Sequence, residues 1–187
     1  MTVADLFLAL IHYPVLNRNG AIVTSAITSL DIHDLARSSR TYGVRAFFIV
    51  HPIPEQRDFA RTVIDHWRFD FGRAFDSRRR EALDLVRITA TLEDACAEAE
   101  KIAGARPLVV HTSARTDRGV TFARMRARLE ASDGQPAMIL LGTGFGMTPE
   151  VAARADILLE AINGPTDYNH LSVRAAGAIM LDRLRGR

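Results

Sequence analysis

The sequence predicts an α/β fold in which helices cover both faces of a parallel sheet. Short apolar runs of strand length alternate with helical patterns, and this alternation favours parallel strands joined by crossover helices. Hydrophobic residues make up 48% and charged residues 25% of the chain, the balance of a globular protein with a sizeable core. The length of 187 residues suits one domain, and neither a repeat nor a linker divides residues 1–187.

The strands are predicted from apolar runs that are too short for helices and that lack a polar face. Five runs are typical of buried strands, whereas Ala21–Ile27 and Val86–Ala90 are weaker candidates. In chain order, the predicted strands are Phe7–Ile11, Ala21–Ile27, Ala46–Val50, Val86–Ala90, Leu108–His111, Met138–Leu141 and Ile157–Leu159.

Helices are predicted in the segments that separate these strands. Thr91 is a suitable N-cap because a carboxylate follows it three residues later, and Gly104 then ends that helix. Either Asn169 or Ser172 is expected to cap the closing helix. In chain order, the predicted helices are Asp31–Tyr42, Glu55–Trp67, Leu92–Gly104, Gly119–Ala131, Pro149–Arg154 and Asn169–Arg185.

Cysteine usage and hydropathy indicate the compartment. Cys96 is the only cysteine, which excludes an internal disulfide bond and a cysteine-cluster metal site, and its helical setting predicts a structural thiol. We expect no metal. The N-terminal segment has no basic region and contains Asp5, so no signal peptide is predicted. No apolar run approaches the roughly 20 residues of a membrane span. We therefore expect a cytoplasmic protein with no membrane partner.

The charges are unevenly distributed along the chain. The net charge is only +2, which predicts no overall attraction to nucleic acid. Ten bases and five acids occupy Arg37–Arg80, seven bases and one acid occupy Lys101–Arg128, and Leu129–Val173 holds one base and six acids. The two basic blocks could form a phosphate-binding face, or they could be solvated helix faces. All basic residues except Lys101 are arginine. This excess reflects either a codon preference for arginine or the use of guanidinium groups to bind phosphate.

Three loops that follow predicted strands contain unusual chemistry. Ligands bind parallel sheets at the carboxyl ends of the strands, where Thr112–Arg115, Gly142–Met147 and Ala161–Val173 are expected to lie. The alternating glycines of the second loop let the backbone approach a ligand closely. Their spacing and late position differ from a dinucleotide fingerprint, and the Gly-Lys-Ser/Thr of a phosphate loop is absent. These loops predict a small ligand held largely by main-chain groups.

Several segments together resemble the SPOUT class of RNA methyltransferases. More narrowly, the chain is similar to a bacterial subgroup described as S-adenosylmethionine (SAM)-dependent RNA methyltransferases, related to the tRNA (guanine-N1)-methyltransferases. The match covers nearly the whole chain. The matching segments are His12–Val15, Leu30–Arg37, Thr41–Val44, Val50–Pro52, Thr112–Arg115, Leu141–Gly146, Ile162–Gly164 and Tyr168–Arg174.

The resemblance implies features that composition and periodicity do not supply. It implies a C-terminal trefoil knot, a homodimer, and SAM bound within the knot loops at the dimer interface. It also implies the residues that would contact SAM, which come from all three loops. These predicted cofactor residues are Thr112, Ser113, Gly142, Gly144, Gly146, Ile162, Gly164, Tyr168, Leu171 and Ser172.

The catalytic residues are predicted from position within the resemblance. Arg37 matches an arginine that related enzymes use near the substrate, Asp167 is the candidate proton acceptor, and Asn169 is a weaker polar candidate. The expected substrate is a nucleotide of tRNA or rRNA. The chain shows no counterpart of the C-terminal domain with which the tRNA (guanine-N1)-methyltransferases hold tRNA, so the core and a partner subunit are expected to bind the RNA. The alternative is a non-catalytic RNA-binding or ribosome-associated protein that retains the fold.

Overall fold

Six parallel strands form the central sheet of the protein, which a computed structural model describes over residues 3–69, 77–116, 118–131 and 134–187. The predicted parallel sheet is confirmed, with strand order β5-β4-β1-β7-β6-β8. A separate two-stranded antiparallel hairpin consists of β2 and β3. The strands are β1 Leu6–Ile11, β2 Val15–Leu16, β3 Ile22–Val23, β4 Ala46–Val50, β5 Val86–Thr89, β6 Leu108–His111, β7 Ala137–Gly142 and β8 Ile157–Leu158.

Helices pack on both faces of the sheet, as the sequence predicts. Alternate residues of β1 divide the core: Leu8 and Leu10 join one apolar cluster, whereas Phe7 and Ala9 join the other. The first cluster includes residues of α1, α2, α3, α5 and α7, and the second includes residues of α4 and α6. The helices are α1 Ser29–Thr41, α2 Pro54–Arg68, α3 Ser77–Leu83, α4 Leu92–Ala103, α5 Phe122–Glu130, α6 Pro149–Ala153 and α7 Val173–Arg185.

Several local predictions differ from the structure. The predicted helix Gly119–Ala131 begins only at Phe122, because the Thr121 hydroxyl accepts a hydrogen bond from the Arg124 amide and caps it there. The predicted strand Ala21–Ile27 is reduced to the two residues of β3, because its only pairing is with the short, unpredicted β2. Helix α3 was also not predicted. The closing helix begins at Val173 rather than Asn169, because the Ser172 hydroxyl accepts a hydrogen bond from the Ala175 amide and caps it. The predicted Thr91 cap of α4 is confirmed as a full capping box.

The loop after β6 runs alongside the end of β8 and the residues that follow it, in a parallel bridge between Val120 and Leu159. The Val120 amide donates to the Leu158 carbonyl at 2.8 Å, and the Glu160 amide donates to the Val120 carbonyl at 3.0 Å. A Cβ on Gly119 would lie 2.7 Å from the Glu160 amide nitrogen, so only glycine permits this close approach. The trefoil knot itself stays a prediction.

The Cys96 thiol lies half-buried on α4 against the second apolar cluster. Burial raises its pKa, which disfavours the thiolate that a nucleophilic cysteine requires. A structural role for this thiol, as predicted, agrees with that environment. None of the helices within the described ranges combines the length and apolar character that a membrane span requires.

Candidate functional site

A cavity of about 460 Å³ opens at the carboxyl edge of the sheet, beside neighbouring strands β7 and β6. The chain runs outward from β1 through β4 to β5 and then returns to the other side of β1, so the strand order reverses between β1 and β7. Ligands bind open parallel sheets at this kind of reversal. The volume is within the range of small-molecule sites. Segments 112–115, 141–146 and 169–173 line the cavity with Ile162, Ala176, Met180, Ala26 and Asp31.

The glycine loop after β7 has a backbone that side chains would disturb. Gly144 and Gly146 have φ values of 59° and 110°, in the left-handed region that favours glycine. The Phe145 amide donates to the Leu16 carbonyl at 2.9 Å, and the Leu16 amide donates to the Gly146 carbonyl at the same distance. A Cβ on Gly144 would lie 2.8 Å from the Leu16 oxygen. Strand β2 therefore fixes the glycine loop against the cavity.

A buried polar network supports the same loop from behind. The Thr143 hydroxyl donates to the Ile11 carbonyl at 3.0 Å and also contacts the Ser25 hydroxyl. Ser25 Oγ lies 2.9 Å from His12 Nδ1, and the Ser25 carbonyl lies 3.0 Å from His51 Nε2. Because Thr143 donates its proton to Ile11, Ser25 donates to Thr143, and His12 Nδ1–H donates to Ser25. The network thus orients Thr143, a cavity residue.

The two histidines of this network are held neutral by their surroundings. Burial lowers the pKa of His12 to about 4; the nearby His51 also lowers it, whereas the hydrogen bond with Ser25 raises it. Burial is also the main cause that lowers the pKa of His51, which is fully buried by surface area. The Ile53 amide donates to His51 Nδ1 at 3.1 Å, which leaves the proton on Nε2. Neutral imidazoles in fixed tautomers suit a structural role.

Asn169 connects the third loop to the first. Its Nδ2 donates to the Ala114 carbonyl at 3.0 Å and to Asn163 Oδ1 at 3.4 Å. Both bonds use the amide as a donor, so the side chain positions the two loops that border the cavity. Asn169 also lines the cavity. Its catalytic role stays a prediction.

Most predicted cofactor residues lie together around the cavity. Eight of the ten line it, and these come from all three loops. All three hydroxyl groups among them are engaged in the fold. Thr112 Oγ1 donates to the Leu140 carbonyl at 2.7 Å, Ser113 Oγ accepts from the Arg115 amide at 3.1 Å, and Ser172 is the cap of α7. The eight residues are Thr112, Ser113, Gly142, Gly144, Gly146, Ile162, Leu171 and Ser172.

Four predicted site residues do not line the cavity of the single chain. Gly164, Asp167 and Tyr168 lie on the exposed part of the third loop, where the Tyr168 side chain is 72% exposed. Arg37 is exposed on α1 and follows the cavity residue Asp31 by six residues, about 9 Å along the helix axis. The roles predicted for these four residues stay predictions.

The structure also places residues at the cavity that the sequence did not single out as ligand contacts. Asp31 lies within the Leu30–Arg37 segment, and that segment is the one signal that could have drawn attention to it. Three of the others, Ala26, Ala176 and Met180, lie outside the predicted loops, and no sequence signal points to them. The remaining residues belong to the predicted loops or to the strand end before one of them: Ala114, Arg115, Leu141, Thr143, Phe145, His170 and Val173.

The loop after β6 contains two exposed arginines, of which Arg115 lines the cavity. Arg118 follows it in the same loop. Within the described ranges, no carboxylate forms an ion pair with either guanidinium. Both belong to the second basic block predicted from the sequence. Residues 70–76 of the first basic block and Asp117 of the second lie outside the described residues.

The residues that line the cavity have the chemical character that SAM binding requires. Glycine backbone permits close approach, and Ile162, Leu171 and Met180 provide apolar surface for a flat base. Asp31 and Arg115 provide one charge of each sign, which suits a ligand with an amino acid end and a cationic sulfonium. The residues present therefore fit the cofactor that the resemblance implies.

Comparisons with known proteins give the family. A family model described as SAM-dependent RNA methyltransferase matches residues 5–186. The chain is 40% identical over 184 residues to an uncharacterized protein of Aquifex aeolicus, covering 98% of this chain and 89% of that protein. It is also 40% identical over 182 residues to a protein of Oleidesulfovibrio alaskensis named tRNA (guanine-N(1)-)-methyltransferase. That match covers 97% of this chain but only 42% of the relative.

Solved structures agree on the fold. A probable methyltransferase from Bordetella pertussis superimposes with a TM-score of 0.64 at 17% identity, covering 97% of this chain and 93% of that one. The SpoU methyltransferase AviRb from Streptomyces viridochromogenes, solved with AdoMet, gives a TM-score of 0.59 at 14% identity, covering 98% of this chain and 58% of that one. The parallel sheet with its helices thus has the fold of these solved methyltransferases. With a family match over nearly its whole length, the chain belongs to the SAM-dependent RNA methyltransferases.

Proposed function

We propose that the cavity at the carboxyl edge holds SAM and that the protein methylates a nucleotide of tRNA or rRNA. The observation that carries this proposal is the convergence of three loops, which are distant in sequence, on one cavity of suitable size. Eight of the residues expected to contact SAM line this cavity. Gly164 and Tyr168 extend the same site along the third loop in the proposal, although they do not line the cavity.

The protein contributes alignment rather than covalent chemistry. SAM supplies a methyl group on a cationic sulfonium, which is already a good leaving group. The glycine loop brings the backbone close to the ligand, and Ile162 and Leu171 exclude water from the base. The hydrogen bonds of Asn169 hold two of the loops at a fixed separation. Alignment of donor and acceptor is then the main source of rate acceleration.

Proton removal from the RNA is the remaining chemical task for a nitrogen or hydroxyl target. We assign orientation of the substrate to Arg37 and acceptance of the substrate's proton to Asp167. Asn169 is a weaker candidate for a polar contact with the substrate. Arg37 and Asp167 are both exposed and outside the cavity of the single chain. These roles therefore require the RNA, or a second protomer, to complete the site.

The RNA partner is supported by charge and by relatives. Arg115 lines the cavity and Arg118 lies in the same loop, and both residues are exposed and available for phosphate contacts. One relative is named as a tRNA methyltransferase, and a structural neighbour from Sinorhizobium meliloti is named as an rRNA methyltransferase. The chain spans less than half of that tRNA-methyltransferase relative, so the nucleotide is not inherited from its name.

We further propose that the protein acts as a homodimer in the cytoplasm. Tyr168 and Leu171 are 72% and 43% exposed beside the cavity, an unusual exposure for large apolar side chains at a ligand site. A second protomer over this region would bury them. A cytoplasmic location follows from the proposed RNA substrate.

Calorimetric titration tests the identity of the cavity. Purified protein is titrated separately with SAM and with NAD, because a dinucleotide is the main competing ligand for a glycine loop beside a parallel sheet. We expect saturable SAM binding and no NAD binding. Saturable binding of NAD without binding of SAM would contradict the proposal.

A further inference from the structure

Asp31 supplies the only carboxylate among the described residues that line the cavity. Its side chain is only 14% exposed, so solvent does not fully screen its charge. The other charged lining residue is Arg115, which is exposed. The cavity wall therefore contains one partly buried negative charge.

The fold fixes the position of this carboxylate. Thr28 Oγ1 donates to Asp31 Oδ2 at 2.7 Å, and the same Thr28 oxygen accepts a hydrogen bond from the Asp31 amide at 3.2 Å. Thr28 is the N-cap of α1, so Asp31 lies in the first helical turn. The helix dipole stabilises a negative charge at that end. Asp31 is thus held as an oriented anion.

The neighbouring cation does not fully neutralise Asp31. Arg174 Nε lies 3.5 Å from Asp31 Oδ1, and Arg174 Nη1 lies 3.4 Å from Asp34 Oδ2. One guanidinium is thus shared by two carboxylates at long distances, and the three side chains carry one net negative charge. Asp34 does not line the cavity and its side chain is 47% exposed, so Asp31 is the carboxylate of this group that faces the ligand.

We propose that Asp31 is the counter-ion for the sulfonium of SAM and that it distinguishes the methyl donor from its demethylated product. This inference rests on the proposed function, because it places SAM in the cavity. SAM has a positive sulfur, whereas S-adenosylhomocysteine (SAH) has a neutral thioether and the same amino acid and nucleoside parts. A carboxylate near the sulfur favours the first ligand over the second through Coulomb attraction. Loss of the positive charge on methyl transfer then weakens the hold on the product.

Calorimetry with SAM and SAH tests this assignment in the wild type, Asp31→Asn and Asp34→Asn. We expect Asp31→Asn to weaken SAM binding about tenfold and to change SAH binding by less than about threefold, the scale of one partly screened charge pair. Asp34→Asn removes the second carboxylate that shares Arg174 without touching the cavity, so the guanidinium then pairs with Asp31 alone. It should lower the preference for SAM over SAH, but by less than Asp31→Asn does.

Arg174→Gln provides a second variant, for which we expect the preference for SAM over SAH to change in the opposite direction. Removal of the competing guanidinium should increase the preference for SAM over SAH, so the proposal remains testable if Asp31→Asn fails to fold. Equal weakening of both ligands by Asp31→Asn would overturn the counter-ion role and leave a structural one. An unchanged SAM affinity in Asp31→Asn would also overturn it. A wild-type protein that binds neither ligand would instead refute the proposed function.

Discussion

His12 makes stability depend on pH in a window that the structure defines. The side chain is fully buried, and within the described residues its Nε2 has no hydrogen-bond partner. Burial lowers its pKa from 6.5 to about 4. Between these values the unfolded chain binds a proton that the folded protein excludes. The contribution of neutral His12 to the free energy of unfolding is therefore fully present above about pH 6.5 and is lost as the pH decreases toward 4.

The size of this effect follows from the pKa difference. One pKa unit corresponds to about 1.4 kcal/mol, so the change from 6.5 to about 4 contributes about 3 kcal/mol. His51 and His111 are also buried, and burial lowers the pKa of each, so they act in the same direction. A comparison with a His12 variant is needed to isolate one residue.

The assay is urea unfolding of the wild type and His12→Gln at several pH values between 4 and 7. Glutamine keeps a neutral amide donor near Ser25 but cannot titrate. The wild type should lose about 3 kcal/mol more unfolding free energy than the variant over this range. Histidine NMR titration gives a second reading in the wild type, with His12 still neutral at pH 5. Parallel pH profiles for the two proteins, together with a His12 pKa near 6.5, would refute the reasoning.

Two further substitutions test the supports of the cavity. Gly119→Ala places a Cβ 2.7 Å from the Glu160 backbone and should lower the free energy of unfolding in urea by roughly 1–3 kcal/mol. Gly164→Ala is the control: its Cβ meets open space and should change that free energy by less than about 0.5 kcal/mol. Equal stability of these two variants would contradict the close approach of Gly119 to the Glu160 backbone. Ser25→Ala removes the hydroxyl between His12 and Thr143 and should cost roughly 1–3 kcal/mol and weaken SAM binding, with the exposed Thr62→Ala as control. Unchanged stability and SAM affinity in Ser25→Ala would argue against a supporting network.

The sheet could be predicted from the sequence because parallel strands are buried on both faces. Such strands are short continuous apolar runs, as in Ala46–Val50 and Leu108–His111, whose predicted bounds agree with the structure. The position of the site followed from the same logic, since loops after parallel strands meet at one edge. The alternating glycines added a chemical signal at the correct edge.

The rest of the site depends on contacts between distant parts of the chain. Asp31 lies on the first helix, and its meeting with the loops after β6 and β7 is fixed only by tertiary packing. His12 and His51 were visible in the matching segments, but their burial and their link through Ser25 were not. The start of α7 was placed too early because both Asn169 and Ser172 are good caps and only the loop contacts of Asn169 separate them.

RNA methylation in cells is the most direct test of the central claim. Methylated nucleotides of tRNA and rRNA are mapped in cells that lack the gene, and the RNA lacking a modification is then incubated with purified protein and labelled SAM. We predict that one methylated nucleotide disappears in the deletion strain and that the protein restores it. If no modification disappears and no labelled methyl group reaches RNA, the account is contradicted in favour of a non-catalytic RNA-binding protein.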